Sequence, residues 1–162
     1  MIKAILACDL NGGIGKDNAM PWPLNKRDMQ WFRDNTIGHI VVMGSKTWNS
    51  HGMLKTLPKR RNIVVTTSPE NNQGADGYIT ENVSEAVQQL SKDNPGLQVW
   101  IIGGANVIEQ CWDIIDEFYI TEVKDLYECD AGIDIPKLEE NFVVSHTEYE
   151  DSDISIGIWK RH

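Results

Sequence analysis

One carboxylate stands out by its neighbours. Asp28 lies in Asp28-Met29-Gln30-Trp31-Phe32, shortly after Met20-Pro21-Trp22-Pro23-Leu24. Helical spacing places Asp28, Met29 and Phe32 on one side, which sets an ionisable group among apolar and aromatic ones. If that side lines a cleft, desolvation raises the carboxyl pKa, the condition under which an acid handles protons near neutral pH. Position alone leans to a plainer reading, a first-turn carboxylate that complements the helix dipole, with the apolar residues as ordinary core.

Two strand-to-helix junctions suggest a different chemistry. In Val99-Trp100-Ile101-Ile102-Gly103-Gly104-Ala105-Asn106 an apolar strand runs into two glycines and a helix start. Backbone N–H groups and the positive helix end then face a crevice that a pyrophosphate can approach. The same order recurs in Ile40-Val41-Val42-Met43-Gly44-Ser45-Lys46-Thr47-Trp48, with Lys46 adding charge. Glycine also begins helices for packing reasons alone, so each junction is weak by itself; two in one sheet point to a dinucleotide. Neither matches G-x-G-x-x-G or the Walker pattern, and Gly12-Gly13-Ile14-Gly15 leads into a turn. A standard Rossmann domain and a P-loop kinase are both disfavoured.

A net charge of −9 over 162 residues argues against nucleic acid or an anionic membrane as the main partner. The distribution says more. Asn35 to Pro69 holds no acid but carries Lys46, Lys55, Lys59, Arg60 and Arg61, whereas Glu109 to Asp153 holds fifteen acids against Lys124 and Lys137. A purely basic segment in an acidic protein suits a small anion, or is simply a solvated basic face. Cys8, Cys111 and Cys129 are odd in number and widely spaced, and no His or Cys stands beside them at ligand distance, so reduced thiols and no metal are expected. No apolar run approaches the roughly 20 residues that span a bilayer. The start reads as a buried strand rather than a signal peptide, so a cytoplasmic protein is expected.

Positioning these groups requires a sheet. Ile2 to Cys8, His39 to Met43, Asn62 to Thr67 and Leu97 to Ile102 are short, rich in Ile and Val, and flanked by turn residues, as buried parallel strands are. Between them fall helices at Lys26 to Asn35, capped by Asn25, and at Glu85 to Ser91, capped by Ser84; a third begins at Gly104 and runs through Cys111. Strands then follow one another, Glu117 to Val123, Asn141 to Tyr149 and Ile154 to Lys160, the last pair forming an antiparallel hairpin. The expectation is one α/β domain over residues 1–162, with a mixed, mostly parallel sheet of about eight strands and about four flanking helices.

The order of these segments resembles dihydrofolate reductase over nearly the whole chain. Ile14-Gly15 with Asn18-Ala19-Met20-Pro21-Trp22 is similar to that family's mobile active-site loop, and Asp28-Met29-Gln30-Trp31-Phe32 to its catalytic helix. Val42-Met43-Gly44 with Thr47-Trp48, and Ile102-Gly103-Gly104, are similar to its two cofactor junctions. The resemblance implies NADPH-dependent reduction of dihydrofolate to tetrahydrofolate by a monomer that antifolate inhibitors can occupy. It implies that Asp28 binds the amino-pyrimidine edge of the pterin, with Thr121 behind it, and that the proton arrives through water admitted near Met20 and ordered by the Trp22 indole. Ile5, Leu6, Ala7, Met29, Phe32, Ser50, Leu57 and Ile102 would line the substrate cleft, and Arg60 would pair with the α-carboxylate of the glutamate tail. Gly44, Ser45, Lys46, Thr47, Thr66, Thr67 and Ser68 would hold the adenosine side of the cofactor. Gly103, Gly104, Ala105, Asn106 and Val107 would hold its pyrophosphate, across a Gly103-Gly104 bond that is cis in the family, and Ile102 and Ile108 would also touch the cofactor. Ala7, Ile14 and Gly15 would meet the nicotinamide.

Three positions depart from the family pattern. Ser45 stands where an Arg often accompanies the cofactor 2′-phosphate, Ile108 replaces an aromatic residue, and Asp130 to Pro136 is longer than usual. Two other readings stay open: a riboflavin-pathway pyrimidine reductase of the same fold, against which the Trp22 to Asp28 segment speaks, and a non-catalytic dinucleotide- or folate-binding module.

Overall fold

The computed structural model describes residues 1–17, 19–50 and 56–162. Asn18 of the loop motif, and His51 and Lys55 near the basic segment, lie outside the described residues. The strands are β1 (Ile2–Cys8), β2 (Gly13–Gly15), β3 (Ile40–Gly44), β4 (Arg61–Val65), β5 (Gly77–Ile79), β6 (Val99–Gly103), β7 (Glu117–Val123), β8 (Ala131–Gly132), β9 (Phe142–Glu150) and β10 (Ile154–Arg161). The helices are α1 (Lys26–Thr36), α2 (Ser45–Trp48), α3 (Val83–Asp93), α4 (Ala105–Gln110) and α5 (Ile135–Asn141).

Eight strands form one sheet in the order β5-β4-β3-β6-β1-β7-β10-β9. Pairing is parallel from β5 through β7 and antiparallel at β7–β10 and β10–β9. The central strands are apolar on both faces because both are covered, and their two-residue period divides neighbours between two clusters. Ala4, Val42, Ile101 and Ile120 join the cluster beneath α3 and α4. Ile5, Val41, Met43, Trp100 and Trp48 join the other, against which Trp31 and Phe32 of α1 pack. The second face is the one that carries the site.

Several sequence expectations need correction. α3 begins at Val83 rather than after Ser84; Asn82 caps it in the left-handed region at φ 50°, with no side-chain cap bond. An asparagine tolerates that conformation, so the chain turns into the helix two residues earlier than the Ser84 cap implied. α5 makes a fifth helix, beginning within the segment read as a long Asp130-to-Pro136 loop. Asp134 caps it by accepting from the Lys137 N–H, and Pro136 sits in its first turn. The short β5, β2 and β8 also escaped the sequence reading. At two or three residues each, they show too little periodicity to register, and β2 and β8 exist only because they pair with each other.

Candidate functional site

Asp28 sits in the first turn of α1 because Asn25 caps the helix, its Oδ1 accepting from the Asp28 N–H at 3.0 Å. The helix lies against the second cluster and directs the carboxyl at β7, where the Thr121 Oγ1 donates to Asp28 Oδ1 at 2.6 Å. Thr121 is buried because it shares a face of β7 with Tyr119, which stacks on Trp31 of α1 at 5.6 Å. Partial burial pushes the Asp28 carboxyl above its ordinary value, and the hydroxyl bond from Thr121 offsets this only in part. Trp22 is buried and packs edge-on against Tyr127 at 5.7 Å, closing the wall beside Asp28.

The cleft residues converge from several segments. Ile5, Phe32, Leu57 and Ile102 all belong to or pack against the second cluster. Ala7, next but one to Ile5 along β1, pairs with Thr121. Leu6 is the exception: its side chain packs in the opposite cluster, because adjacent residues of a strand point to opposite faces, so only its backbone can face the cleft. Met20 and Met29 are about half exposed, at 46% and 50%. Ser50 ends the α2 turn, its N–H donating to Thr47 O at 3.2 Å.

Arg60 reaches the far end of this face, where Nη1 donates to Thr36 Oγ1 at 3.3 Å and Nε to Pro58 O at 3.0 Å. Burial and the nearby Arg33 lower its pKa. A second cation near a half-buried guanidinium is the arrangement that an anion relieves. Among the described residues the rest of the basic segment does not converge there, since Arg61 turns outward to Asn94 Oδ1 and Lys46 and Lys59 are exposed.

The two glycine junctions lie side by side, because β3 and β6 are paired neighbours. Both helices start from a glycine in extended backbone with no side-chain cap bond, so their first N–H groups are not taken up by a capping side chain. A Cβ on Gly103 or Gly104 would lie 3.4 or 3.8 Å from Thr47 Oγ1, and one on Gly44 would lie 3.2 Å from Val107 Cγ2. The junctions thus form a shallow cradle that side chains would fill, and the Gly103-Gly104 peptide is cis. Thr66 Oγ1 is used within its own turn, accepting from Ser68 N–H and Asn72 Nδ2, while Thr67 is exposed beside it. Ile14, Val107 and Ile108 pack into the first cluster.

Sequence reasoning missed three supporting residues. Buried Asn62 donates to Leu57 O and Arg60 O and accepts from Leu57 N–H, folding the segment that carries both cleft residues. An amide at the head of the apolar run Ile63-Val64-Val65 is a signal that could have found it. Buried Asp9 accepts from the N–H groups of Asn11, Gly13 and Tyr127 at 2.8–3.0 Å. Burial raises its pKa, and these donors outweigh that and hold the carboxyl below its ordinary range. Asp130 accepts from Asp17 N–H at 3.0 Å and donates its own N–H to Gly15 O at 2.9 Å. The longer 130–136 segment therefore still fastens the loop that leads to Met20. The buried thiols carry no such chemistry: burial pushes Cys8 up to about 12 and Cys111 up to about 11, so both stay protonated.

A mixed sheet with glycine junctions on two neighbouring parallel strands, and a partly buried carboxyl on the helix packed over one face, defines an α/β domain with its candidate site on that face. The family model for dihydrofolate reductase matches residues 1–158, and the chain belongs to the dihydrofolate reductase family. It is 36% identical over 154 residues to the dihydrofolate reductase type 8 of Escherichia coli, covering 93% of this chain and 90% of that protein. It is 35% identical over 150 residues to the dihydrofolate reductase of Haemophilus influenzae, covering 92% and 88%. The fold matches a solved dihydrofolate reductase from Enterococcus faecalis complexed with NADP(H) and RAB-propyl, at TM-score 0.81 and 24% identity, over 100% of this chain and 96% of that one. Among the described residues no helix is long and apolar enough to cross a membrane.

Proposed function

We propose that this chain reduces 7,8-dihydrofolate to 5,6,7,8-tetrahydrofolate with NADPH, as a cytoplasmic monomer that supports one-carbon and thymidylate metabolism and accepts antifolates in the same cleft. The observation that carries the reading is the Thr121–Asp28 hydrogen bond of 2.6 Å, on the face that also presents Ile5, Phe32 and Ile102.

The cradle fits a dinucleotide. Two uncapped helix starts side by side, over glycines whose absent Cβ atoms leave room, suit a pyrophosphate, and Ala105, Asn106 and Val107 continue that wall. Ser45, Lys46 and Thr47, with Thr66 to Ser68 in the turn after β4, would hold the adenosine side; Ala7, Ile14 and Gly15 would meet the nicotinamide. When bound, NADPH supplies the hydride.

The chain's own residues do the remaining work. Asp28 accepts the amino-pyrimidine edge of the pterin and holds one tautomer in place, while Thr121 fixes the carboxyl by its bond to Oδ1. Ile5, Phe32, Leu57 and Ile102 exclude water from the ring faces, with Met20, Met29 and Ser50 closing the rim and the backbone of Leu6 passing beneath. Water beside Met20, oriented by the Trp22 indole N–H, delivers the proton to the ring nitrogen. Arg60 binds the α-carboxylate of the glutamate tail as a fork, with Arg33 adding charge.

Mixing the protein with NADPH and dihydrofolate should give loss of the cofactor's absorbance. A folded, cofactor-binding sample without turnover would sink the proposal. With Lys46 as the nearest cation in place of an Arg at Ser45, NADPH should still be preferred over NADH, as parallel steady-state kinetics will measure. Arg60→Leu should raise the KM for dihydrofolate by about 10–100-fold, the worth of a charge-assisted pair, with kcat nearly unchanged. Equal losses in kcat would instead move Arg60 into the chemical step.

A further inference from the structure

We propose that the buried ion pair of Lys3 and Glu117, together with the Trp100 and Tyr119 rings that the Lys3 ammonium lies over, positions the Asp28 carboxyl. The pair fixes Tyr119 beneath Trp31 and so sets the separation of α1 and β7 at which Asp28 meets Thr121. The inference rests on the reductase reading above and assigns to that site positioning residues outside the cleft.

A lysine inside the apolar run Ile2-Lys3-Ala4-Ile5-Leu6 is unexpected, and this one is only 7% exposed. The register supplies its partners. Lys3 pairs with Trp100 of β6 on one side and Glu117 of β7 on the other, and Lys160 of β10 stands opposite Glu117, so the four residues form one row across the sheet. Lys3 Nζ lies 3.3 Å from Glu117 Oε1, and the more exposed Lys160 lies 3.7 Å from Oε2. The Lys3 ammonium also stands 5.3 Å from the Trp100 ring centroid and 5.0 Å from that of Tyr119, within the range where a ring face attracts a cation. It donates to the Tyr119 hydroxyl at 3.2 Å.

The following rows lead to the site. Tyr119 pairs with Ile5, and Thr121 with Ala7. On α1, Trp31 follows Asp28 by one turn, so helix and strand meet twice: Trp31 stacks on Tyr119 with the rings 23° apart, and Asp28 accepts from Thr121. Trp100 meets the same Tyr119 ring edge-on at 4.9 Å. Among the described residues the indole N–H groups of Trp31 and Trp100 have no acceptor, and the Tyr119 hydroxyl bonds to Lys3 alone. Packing and the cation therefore hold the rings, and Glu117 holds the cation.

Taking two charges out of water is costly, and an apolar pair of similar volume would join the strands as well. What an apolar pair lacks is direction. An ammonium shared by a carboxylate, a hydroxyl and two ring faces admits one placement of Tyr119. A shift of roughly 0.5 Å at that ring, carried along α1, weakens the short Thr121–Asp28 bond steeply while hardly changing the burial of Asp28. The other charged and titratable groups near that carboxyl are Lys26 and Arg27 beside it on α1, and Lys124, Asp125, Tyr127 and Asp153 around the cavity that reaches Trp22, Asp28 and Thr121.

The double variant Lys3→Met with Glu117→Gln removes the pair, leaves neither charge unpaired and keeps the net charge of the protein. It should fold with nearly wild-type stability. In carbon-13 NMR titration of the Asp28 carboxyl without ligands, its midpoint should rise by about half a pH unit, because the hydroxyl bond that favours the carboxylate is loosened. The KM for dihydrofolate should rise by about threefold, the same loss expressed as affinity, with the Kd for NADPH unchanged. Tyr119→Phe alters no charge and removes only the hydroxyl; it should move both readings in the same direction, and it stands alone if the double variant fails to fold. On a Thr121→Val background neither change should move the midpoint further. An unmoved midpoint in the folded double variant or in Tyr119→Phe, whatever happens to the melting temperature, would overturn the positioning role, as would a shift that survives on the Thr121→Val background. A wild-type protein that binds NADPH but never reduces dihydrofolate would overturn the reductase reading instead, since the NMR midpoints are read without turnover.

Discussion

Replacing Asp28 with asparagine lowers turnover at neutral pH by about 10²–10⁴-fold, the range expected when a group that governs proton transfer is lost. Part of the activity returns at acid pH, where the substrate arrives already protonated. Asparagine keeps an acceptor for Thr121 Oγ1 but presents an amide where the pterin edge needs a carboxylate. The pH–rate profile of the variant therefore slopes upward toward acid without the wild-type inflection. A profile parallel to the wild type would remove Asp28 from the chemistry.

The same substitution should stabilise the protein. Burial raises the folded-state pKa of Asp28 above its unfolded value, so between the two values the native chain binds more protons than the unfolded one. Stability from this group is then present below the unfolded pKa and is lost as pH rises through the folded pKa. At neutral pH the wild type bears the cost of a desolvated carboxylate, which a neutral amide avoids. Asp28→Asn should therefore melt higher there, and the gain should vanish on acidification. Melting temperatures across pH check the sign. A gain in stability with a loss of turnover is what a site tuned for chemistry rather than packing produces.

The second large effect is expected at Gly103. Its φ of +122° lies where L side chains are strained, and an added Cβ would stand 3.4 Å from Thr47 Oγ1, inside the cradle between the two junctions. Gly103→Ala should cost about 1–3 kcal/mol of stability. It should also weaken NADPH binding by about tenfold or more, since each 1.4 kcal/mol lost in the bound state is a factor of ten. Fluorescence titration with NADPH measures the second effect and denaturant unfolding the first. Loss of stability with unchanged NADPH affinity would show that the cradle is packing rather than a binding surface.

The chain order of strands and helices was legible because both signals are local. Buried parallel strands are continuous apolar runs, and Asn25 and the paired glycines mark helix starts within a few residues. The order of motifs around Trp22, Asp28, Gly44 and Gly103 was sufficient to identify the family, and the hairpin at the end of the chain was visible in the strand patterns on either side of its acidic turn.

What stayed hidden was decided by contacts between distant residues. Asp28 and Thr121 are 93 residues apart, and whether the carboxyl merely complements a helix dipole or also packs against a hydroxyl depends on how α1 meets β7, which spacing along one helix cannot express. Leu6 was placed in the cleft by the family resemblance, but the face its side chain takes is set by the pleat within the finished sheet. Pairing of β2 with β8, the Asp9 and Asn62 anchors, and the cavity that reaches Trp22, Asp28 and Thr121 likewise need segments that meet only after folding. Local periodicity and motif order in the sequence determined where the longer strands and helices form and which family they belong to. The tertiary structure alone decided which groups lose water and which keep it, and that choice sets the ionisation of Asp28.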